Sequence, residues 1–128
     1  MIYRLKFSSK ASNIFKELQA QTQLTPNILA RLAVGVSLTI DTEPEITEKN
    51  KSNNGLEINR QTLTGDYDLL YKTLITQHSK RKLTDEEYFP ILFNAHVERG
   101  LIMLQNEYKY AGNAEKFYEN LLKFNLEG

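Results

Sequence analysis

The chain has 128 residues, which is room for one domain spanning residues 1–128, with a core that buries roughly two thirds of the unfolded surface. Hydrophobic residues make up 41% and charged residues 25%, as in ordinary folded proteins, so wholesale disorder is excluded. The chain has no cysteine, which excludes disulfides, thiolate metal sites and catalytic thiols. No apolar run approaches the ~20 residues that span a bilayer, and the N-terminus does not resemble a signal peptide, so we expect a cytoplasmic protein.

Charge is balanced overall, with 16 basic and 16 acidic residues, but it is distributed in blocks. Residues 1–40 carry five Lys or Arg against one Glu, residues 41–68 carry three against seven acids, and residues 69–82 carry four with no acid. Blocks of this kind indicate either a surface that faces a polyanion or ordinary solvated clusters that pair across subunits. Charge alone leaves both interpretations open.

The first residues alternate between apolar and polar side chains, which predicts a short half-buried strand over residues 2–7. Because a lone strand leaves its backbone groups unpaired, we expect this strand to pair with another subunit. The side chains expected to pack on the helices are Tyr3, Leu5 and Phe7, and those expected to point outward are Ile2, Arg4 and Lys6.

Two helices should follow the strand. Ser8 or Ser9 can cap the first, which runs to about Thr22, and the second begins at Pro26 behind an N-cap at Thr25. The amides at the start of this second helix could contact a phosphate. The apolar residues at helical spacing are Ala11, Ile14, Phe15 and Leu18 in the first helix, and Ile28, Leu29, Leu32, Ala33 and Val36 in the second.

The middle of the chain is less regular. Residues 41–54 are acidic and nearly free of large apolar side chains, so we expect a mobile acidic loop. Residues 57–64 fit neither helix nor strand clearly. Asp66 can then cap a helix that extends to about His78, with a stripe of residues that is more typical of a core than of a base-stacking surface: Tyr67, Leu70, Tyr71 and Leu74.

The pattern of the last third predicts two helices. Thr84 and Glu87 form a capping box at the start of a long helix that reaches about Tyr108, and Pro90 predicts a kink or restart within it. Asn113 can cap the last helix, whose apolar residues include Phe117, Tyr118, Leu121, Leu122 and Phe124. We therefore expect a mainly α fold with one short N-terminal strand and about five helices.

The order of a basic strand and two helices is that of ribbon-helix-helix proteins, which are Met repressor-like in fold. In that arrangement a ribbon formed by two subunits enters the DNA major groove. We therefore interpret the N-terminal half as ribbon-helix-helix-like.

Little in the sequence points to catalysis. The two histidines, His78 and His96, lack a second ligand at zinc-binding spacing, and the six glycines form no phosphate-binding loop, so we expect no metal and no cofactor. We interpret His96 as a packed structural histidine; the competing hypothesis is a catalytic pair of His96 with a carboxylate such as Glu98. We expect a protein that is not an enzyme.

Three segments together resemble the DndE family of the bacterial DNA phosphorothioation system, in which sulfur replaces a non-bridging phosphate oxygen. The resemblance covers most of residues 1–105. It is carried by Leu24-Thr25-Pro26-Asn27 with Arg31, by Gly55-Leu56-Glu57-Ile58-Asn59-Arg60 leading into Leu63-Thr64-Gly65-Asp66-Tyr67-Asp68, and by the segment from His96 to Gly100.

The resemblance implies a small helical protein that assembles as a homotetramer and binds double-stranded DNA, with a preference for nicked duplex, beside other proteins of the system. Two alternatives remain: a scaffold subunit without DNA contact, and a ribbon-helix-helix transcriptional regulator. Our candidates for DNA backbone contacts are Arg4, Lys6, Lys10, Lys16, Arg31, Arg60 and Lys72. A second candidate group, which could equally be the cationic end of a helix, is Lys80, Arg81 and Lys82.

Overall fold

The structure is a computed structural model that describes residues 3–46 and 55–127. Within these ranges the elements are β1 (Arg4–Lys6), α1 (Ser9–Thr22), α2 (Pro26–Ser37), β2 (Glu57–Asn59), α3 (Arg60–Thr64), α4 (Asp68–Ser79), α5 (Phe93–Ala111) and α6 (Ala114–Glu127). Five of the described helices have 12 or more residues, and α3 has five. The predicted mainly α fold with a short N-terminal strand is confirmed.

The predicted strand pairs inside the chain. β1 and β2 form a two-stranded antiparallel ribbon in which Leu5 lies opposite Ile58. The ribbon extends beyond the two strands, since Phe7 donates its backbone N–H to the Leu56 carbonyl at 2.8 Å. The expectation that this strand pairs with another subunit was therefore wrong for the edge that β2 occupies. The strand-helix-helix order is present, with a ribbon built by one chain.

The outward and inward faces of β1 follow the sequence pattern with one exception. Leu5 and Phe7 are buried, whereas Arg4 and Lys6 are exposed, as predicted. Tyr3 was expected to pack on the helices and is instead 68% exposed, although its backbone carbonyl accepts from the Arg60 N–H at 2.6 Å at the end of the ribbon. Ile2 lies outside the described residues, as do residues 47–54 of the predicted acidic loop.

The first two helices begin where the sequence predicts. The Ser8 hydroxyl accepts from the Ala11 backbone N–H at 3.1 Å and so caps α1. Thr25 occupies the N-cap position of α2, but its hydroxyl donates to the Asn27 side-chain oxygen at 2.6 Å instead of capping a backbone amide. Pro26 at the first helical position sets the start of α2.

Helices α2 and α5 form the centre of the core. They cross closely at Gly100, where an added Cβ would lie 1.8 Å from the Ala33 carbonyl oxygen. Only glycine permits this approach of the two backbones. Helix α1 packs on both helices through Phe15 and Leu18, and α6 packs on α5 through Phe117, all of them buried.

Helix α4 departs from the sequence prediction at its start and in its orientation. It begins at Asp68 after a 3₁₀ turn over Gly65–Tyr67, so Asp66 is not its N-cap. Three of the four residues of the stripe expected in the core are exposed, Tyr67 at 58%, Leu70 at 52% and Leu74 at 37%, whereas Tyr71 packs partly buried against the core. The buried residue of this helix is Ile75, one turn after Tyr71 on the same side of the helix.

The local sequence signals in the last third predicted the structure correctly. Glu87 accepts from the Thr84 backbone N–H at 2.9 Å and donates its own backbone N–H to the Thr84 hydroxyl at 3.1 Å, which completes the capping box. A helical segment over Glu87–Leu92 precedes α5 and is broken at Phe89, whose φ of −131° and ψ of 117° are extended, directly before Pro90. Asn113 accepts from a backbone N–H in the first turn of α6. No helix in the described part of the chain is long and apolar enough to cross a membrane.

Candidate nucleic-acid interface

The ribbon presents two of the predicted DNA-binding cations. Because Leu5 points into the core, its neighbours Arg4 and Lys6 project from the opposite face of β1. The Arg4 side chain is 73% exposed, and its guanidinium lies 3.8 Å from the Glu57 carboxylate across the ribbon. An exposed pair at this distance is worth little and is screened by salt, so Arg4 can exchange Glu57 for another anion at small cost.

Helix α1 presents two more cations. Its buried side carries Ile14, Phe15 and Leu18, which fixes the rotation of the helix and leaves Lys10 and Lys16 exposed. Lys10 lies in the first turn of α1, directly after the ribbon. Four predicted cations therefore lie on the contiguous segment β1–α1.

Lys16 lies in a shallow groove of about 540 Å³ between α1 and the chain that leads into β2. The groove is open and is lined by both polar and apolar side chains, the latter including Phe15 and Leu56. Residues that line it include Ser9, Asn13, Lys16, Gln19, Pro26 and Gly55. The amide side chains in this lining were not among the predicted site residues, since an exposed Asn or Gln has no distinctive sequence pattern.

The exposed lysines of this segment have no acidic partner within the part of the chain that the structure describes. Among those residues, Lys6, Lys10 and Lys16 make no ion pair, and Glu17 beside them accepts a hydrogen bond from the Gln105 amide at 3.2 Å. A group of like charges held on one segment attracts polyanions and repels cations. We define Arg4, Lys6, Lys10 and Lys16 as the β1–α1 cation set.

Arg31 and Lys72, also predicted to bind DNA, are engaged elsewhere. The Arg31 guanidinium donates to the carbonyls of Leu63 at 2.8 Å and Thr62 at 3.2 Å, which satisfies the C-terminal end of α3. The Lys72 ammonium lies 3.5 Å from the Asp85 carboxylate and is about one third exposed. Both side chains contribute to the packing of the α3–α4 region.

Arg60 is an interior residue and is dropped from the DNA-binding candidates. It is 5% exposed, and its guanidinium donates to both carboxylate oxygens of Asp68 and of Asp85 at 2.8–2.9 Å. Its guanidinium carbon also lies 5.3 Å from the ring centroid of Tyr88 and 4.7 Å from that of Phe89. Arg60 therefore joins α3, α4 and the capping-box segment that precedes α5. The residues next to Arg60 in the sequence do not predict this role.

The titration of this cluster reflects its geometry. Hydrogen bonds from Arg60, with the nearby charge of Lys72, lower the pKa of Asp85 to about 2. Burial raises the pKa of Asp68, but hydrogen bonds from Arg60 and Thr64 more than offset it and leave that pKa below its ordinary value. Hydrogen bonds to both carboxylates raise the pKa of Arg60. The cluster is therefore ionised and internally neutralised at neutral pH.

His96 is a buried residue that contacts Ser37 and His78. It is fully buried, its Nδ1 lies 2.8 Å from the Ser37 hydroxyl, and its ring meets that of His78 edge to face at 5.0 Å between centroids. Ser37 accepts from Arg99 Nε at 2.8 Å, so its own proton is available to Nδ1, which assigns the proton of the neutral imidazole to Nε2. Burial, together with the charges of His78 and Arg99, lowers the pKa of His96 to about 3.

The carboxylate considered as a catalytic partner of His96 is engaged elsewhere. Glu98 accepts a hydrogen bond from the Ser8 hydroxyl at 2.6 Å, and so ties the start of α1 to α5. The basic group Lys80–Lys82 is also partly engaged, since Arg81 pairs with Glu43 at 2.6 Å. Of the sequence-predicted site residues, the β1–α1 cation set is therefore exposed on two consecutive elements, whereas Arg31, Arg60, Lys72 and Arg81 are engaged with partners elsewhere in the chain.

Comparisons with known proteins decide the family. A family model described as "DNA sulphur modification protein DndE" matches residues 4–112. The chain belongs to the DndE family. A comparison with curated proteins found no match.

Two solved DndE structures are similar in fold. The crystal structure of DndE from Escherichia coli B7A, involved in DNA phosphorothioation modification, has 25% sequence identity and a TM-score of 0.63, covering 79% of this chain and 97% of its own. The crystal structure of a DndE mutant involved in DNA phosphorothioation has 23% identity and a TM-score of 0.65, covering 83% and 99%. The DndE match stops at residue 112, so α6 lies beyond the family model.

Several residues that carried the DndE resemblance have structural roles here. Asn59 caps α3 by accepting from the Thr62 backbone N–H at 2.8 Å, and Gly65 adopts a φ of +55° beside the Arg31 guanidinium. Gly100 lies at the α2–α5 crossing. These motif residues of the DndE protein therefore specify its fold, and the β1–α1 cation set lies outside them.

Proposed function

We propose that this DndE protein is a non-catalytic component of DNA phosphorothioation that binds the backbone of double-stranded DNA. The observation that carries the proposal is the β1–α1 cation set, whose members are exposed and lack a comparable set of acids beside them among the described residues. Lysines with mobile side chains suit phosphate contacts, which position a protein on DNA without reading its sequence. Weak sequence dependence and strong salt dependence should follow.

The arrangement of His96 supports a non-catalytic role. A general base must reach a substrate proton, whereas His96 is fully buried, and a pKa of about 3 makes its imidazole a weak base at neutral pH. The sulfur chemistry would belong to the other proteins of the system. The scaffold alternative differs in one respect, since it predicts no affinity for duplex DNA at about 50 mM salt, where phosphate contacts are strong.

Self-assembly into a homotetramer in the cytoplasm is part of this proposal. Four copies would multiply the β1–α1 cation set and allow contact with several phosphates along one duplex. Bending or locally opening DNA costs on the order of several kcal/mol, and a nick relieves part of this cost. A tetramer that holds a deformed duplex would therefore prefer nicked DNA.

Gel-shift titrations on intact and nicked duplexes of one sequence, at matched salt, test the proposal. We expect binding to both and tighter binding to the nicked duplex. Equal affinities would remove the nick preference, and no binding at about 50 mM salt would favour the scaffold alternative.

Arg4→Ala separates backbone binding from the ribbon-helix-helix regulator alternative. If β1 lies against phosphates, the variant should lose affinity to a similar degree on all duplex sequences. If the ribbon reads bases in the major groove, the variant should lose sequence preference. The β1–β2 ribbon formed within one chain keeps this alternative in consideration.

A further inference from the structure

The side of α1 that lines the groove carries a row of uncommitted polar side chains. The row consists of Ser9, Asn13, Lys16 and Gln19, which lie three or four positions apart and therefore on one side of the helix. All four are exposed, and none of their side chains makes a hydrogen bond or an ion pair with another residue that the structure describes. We define these four residues as the α1 polar row. A rigid helix thus holds several hydrogen-bonding groups in order along a groove, where they are available to a ligand.

The same groove has apolar walls. Pro26 at the start of α2 and Leu56 in the ribbon line it and are partly exposed, and the buried ring of Phe15 lies beneath them. A ligand that fills this space of about 540 Å³ must offer apolar surface to these walls and polar groups to the α1 polar row. Nucleobases have this combination, because every base has an apolar face and an edge of hydrogen-bonding groups.

The chemistry of the row favours base edges over phosphates. The amides of Asn13 and Gln19 each provide both a donor and an acceptor. A base edge also carries donors and acceptors and can pair with both groups of an amide, whereas a phosphate only accepts. In an intact duplex the bases are stacked and paired, so neither their faces nor their pairing edges can reach these groups. The ligand that uses the whole groove is therefore a strand with unpaired bases.

Length and charge agree with a short stretch of one strand. The α1 polar row extends over ten residues from Ser9 to Gln19, which corresponds to about 15 Å along the helix axis. This is the length of about four stacked nucleotides at ~3.4 Å each. Lys16 belongs both to the row and to the β1–α1 cation set, so the groove is continuous with the exposed cations. A strand in the groove can place a phosphate at Lys16.

We propose that the groove beside α1 binds a short unpaired stretch of one DNA strand. The bases pack against Pro26 and Leu56, and their edges form hydrogen bonds with Asn13 and Gln19. This inference rests on the proposed function and deepens it, because the β1–α1 cation set holds the duplex backbone while the groove takes bases that have lost their partners. It makes a gap in a duplex the preferred substrate.

Three duplexes with the same flanking sequence test the inference. One is intact, one has a gap of four nucleotides opposite four unpaired bases, and one has the same gap opposite four abasic residues. The abasic strand keeps its phosphates and lacks only the bases. In fluorescence anisotropy at about 50 mM salt, we expect the base-containing gap to bind about tenfold more tightly than the abasic gap, as two or more hydrogen bonds to bases would give. Equal affinities for the two gapped duplexes would overturn the inference.

A double variant, Asn13→Ala with Gln19→Ala, tests the assigned residues. We expect it to bind the intact duplex and the abasic gap as the wild type does, and to lose the preference for unpaired bases. Alanine favours a helix more than asparagine or glutamine does, so the variant should fold. Gln77→Ala with Asn106→Ala is the matched control, because it removes two exposed amides from α4 and α5. A double variant that keeps the tenfold preference, or a control that loses it equally, would contradict the assignment.

The same titrations distinguish failure of this inference from failure of the proposed function. Binding of the intact duplex without any difference between the two gapped duplexes would overturn the groove inference and leave the proposed function in place. Binding of the base-containing gap alone would support the groove and contradict binding through the duplex backbone. No binding of any of the three duplexes would overturn both.

Discussion

Arg60 shows how one side chain can determine the relation between distant segments. Its guanidinium neutralises Asp68 and Asp85, which belong to α4 and to the capping box segment that precedes α5. Its removal would leave the two carboxylates close together with the Lys72 ammonium as the remaining cation beside them. Because the carboxylates keep about 30% exposure, water can compensate them in part.

We therefore expect Arg60→Ala to lower the free energy of unfolding by about 3 kcal/mol, the low end of the range for breaking a buried ion pair. Urea denaturation followed by circular dichroism measures this change. Lys109→Ala, at an exposed position of α5, is the control and should change stability by less than about 0.5 kcal/mol. A decrease below about 1 kcal/mol for Arg60→Ala would show that the cluster is not an important tie.

His96 should give the protein a defined acid sensitivity. Its pKa in the folded protein is about 3, below the ordinary value of 6.5, so the unfolded chain binds an extra proton between these two pH values. Stability is then fully present above pH 6.5 and is lost as the pH falls toward 3. This window begins above the one for Asp85, whose contribution is lost only below its ordinary pKa of 3.8.

His96→Asn should remove the upper part of this sensitivity, because an amide can still accept from Ser37 and does not titrate. Urea midpoints at several pH values between about 7 and 5 are the measurement. We expect the wild type to weaken across this interval and the variant to stay nearly constant. A variant that weakens as much as the wild type would place the titrating group elsewhere.

At the scale of the elements, the α2–α5 crossing depends on a single missing Cβ. Gly100→Ala would place a methyl group 1.8 Å from the Ala33 carbonyl oxygen, so the two helices must separate. We expect the free energy of unfolding to fall by about 3 kcal/mol or more in urea denaturation, as for strong overpacking. Gly35→Ala in α2 is the matched control, because nothing lies within 4 Å of the added Cβ.

The control should be neutral or stabilising by up to about 1 kcal/mol, since alanine favours a helix more than glycine does. Equal effects of the two substitutions would show that helix propensity, and not the close crossing, governs Gly100.

The elements that local chemistry specifies were predictable from sequence. The start of α1 at the Ser8 cap, the Thr84–Glu87 capping box and the break before Pro90 all depend on residues within a few positions of each other. What depends on distant partners was not predictable. β1 pairs with a strand more than fifty residues away, and this pairing gives the ribbon its partner within the chain.

In the candidate site, too, the features set by local sequence were predictable and those set by distant partners were not. Alternation in β1 and periodicity in α1 were sufficient to place Arg4, Lys6, Lys10 and Lys16 at the surface. Arg60 was misplaced because its partner carboxylates lie 8 and 25 positions further on. The exposure of three residues of the stripe predicted for α4 was also missed, since an apolar stripe that faces outward has the same sequence pattern as one that faces a core.

At the scale of the whole molecule, zero formal net charge conceals an uneven distribution. The acids near the Arg60 cluster are neutralised internally, whereas the β1–α1 cation set is left to attract anions. An assembly with several such segments can bind a polyanion although each chain is neutral overall. We propose that these cations contact DNA phosphates.

The most direct test compares the salt dependence of duplex binding for the wild type and for a triple variant carrying Lys6→Gln, Lys10→Gln and Lys16→Gln. A double variant with Lys109→Gln and Lys123→Gln, both at exposed positions, is the control. Affinity is titrated between about 50 and 200 mM salt, where each phosphate contact contributes roughly 0.9 to the slope of log affinity against log salt.

We expect the triple variant to bind more weakly than the wild type, and the control to match the wild type. The slope for the triple variant should be shallower by about 0.9 for each phosphate that the substituted side chains no longer neutralise. Equal slopes for the triple variant and the wild type would contradict the claim that the β1–α1 cation set contacts the DNA backbone.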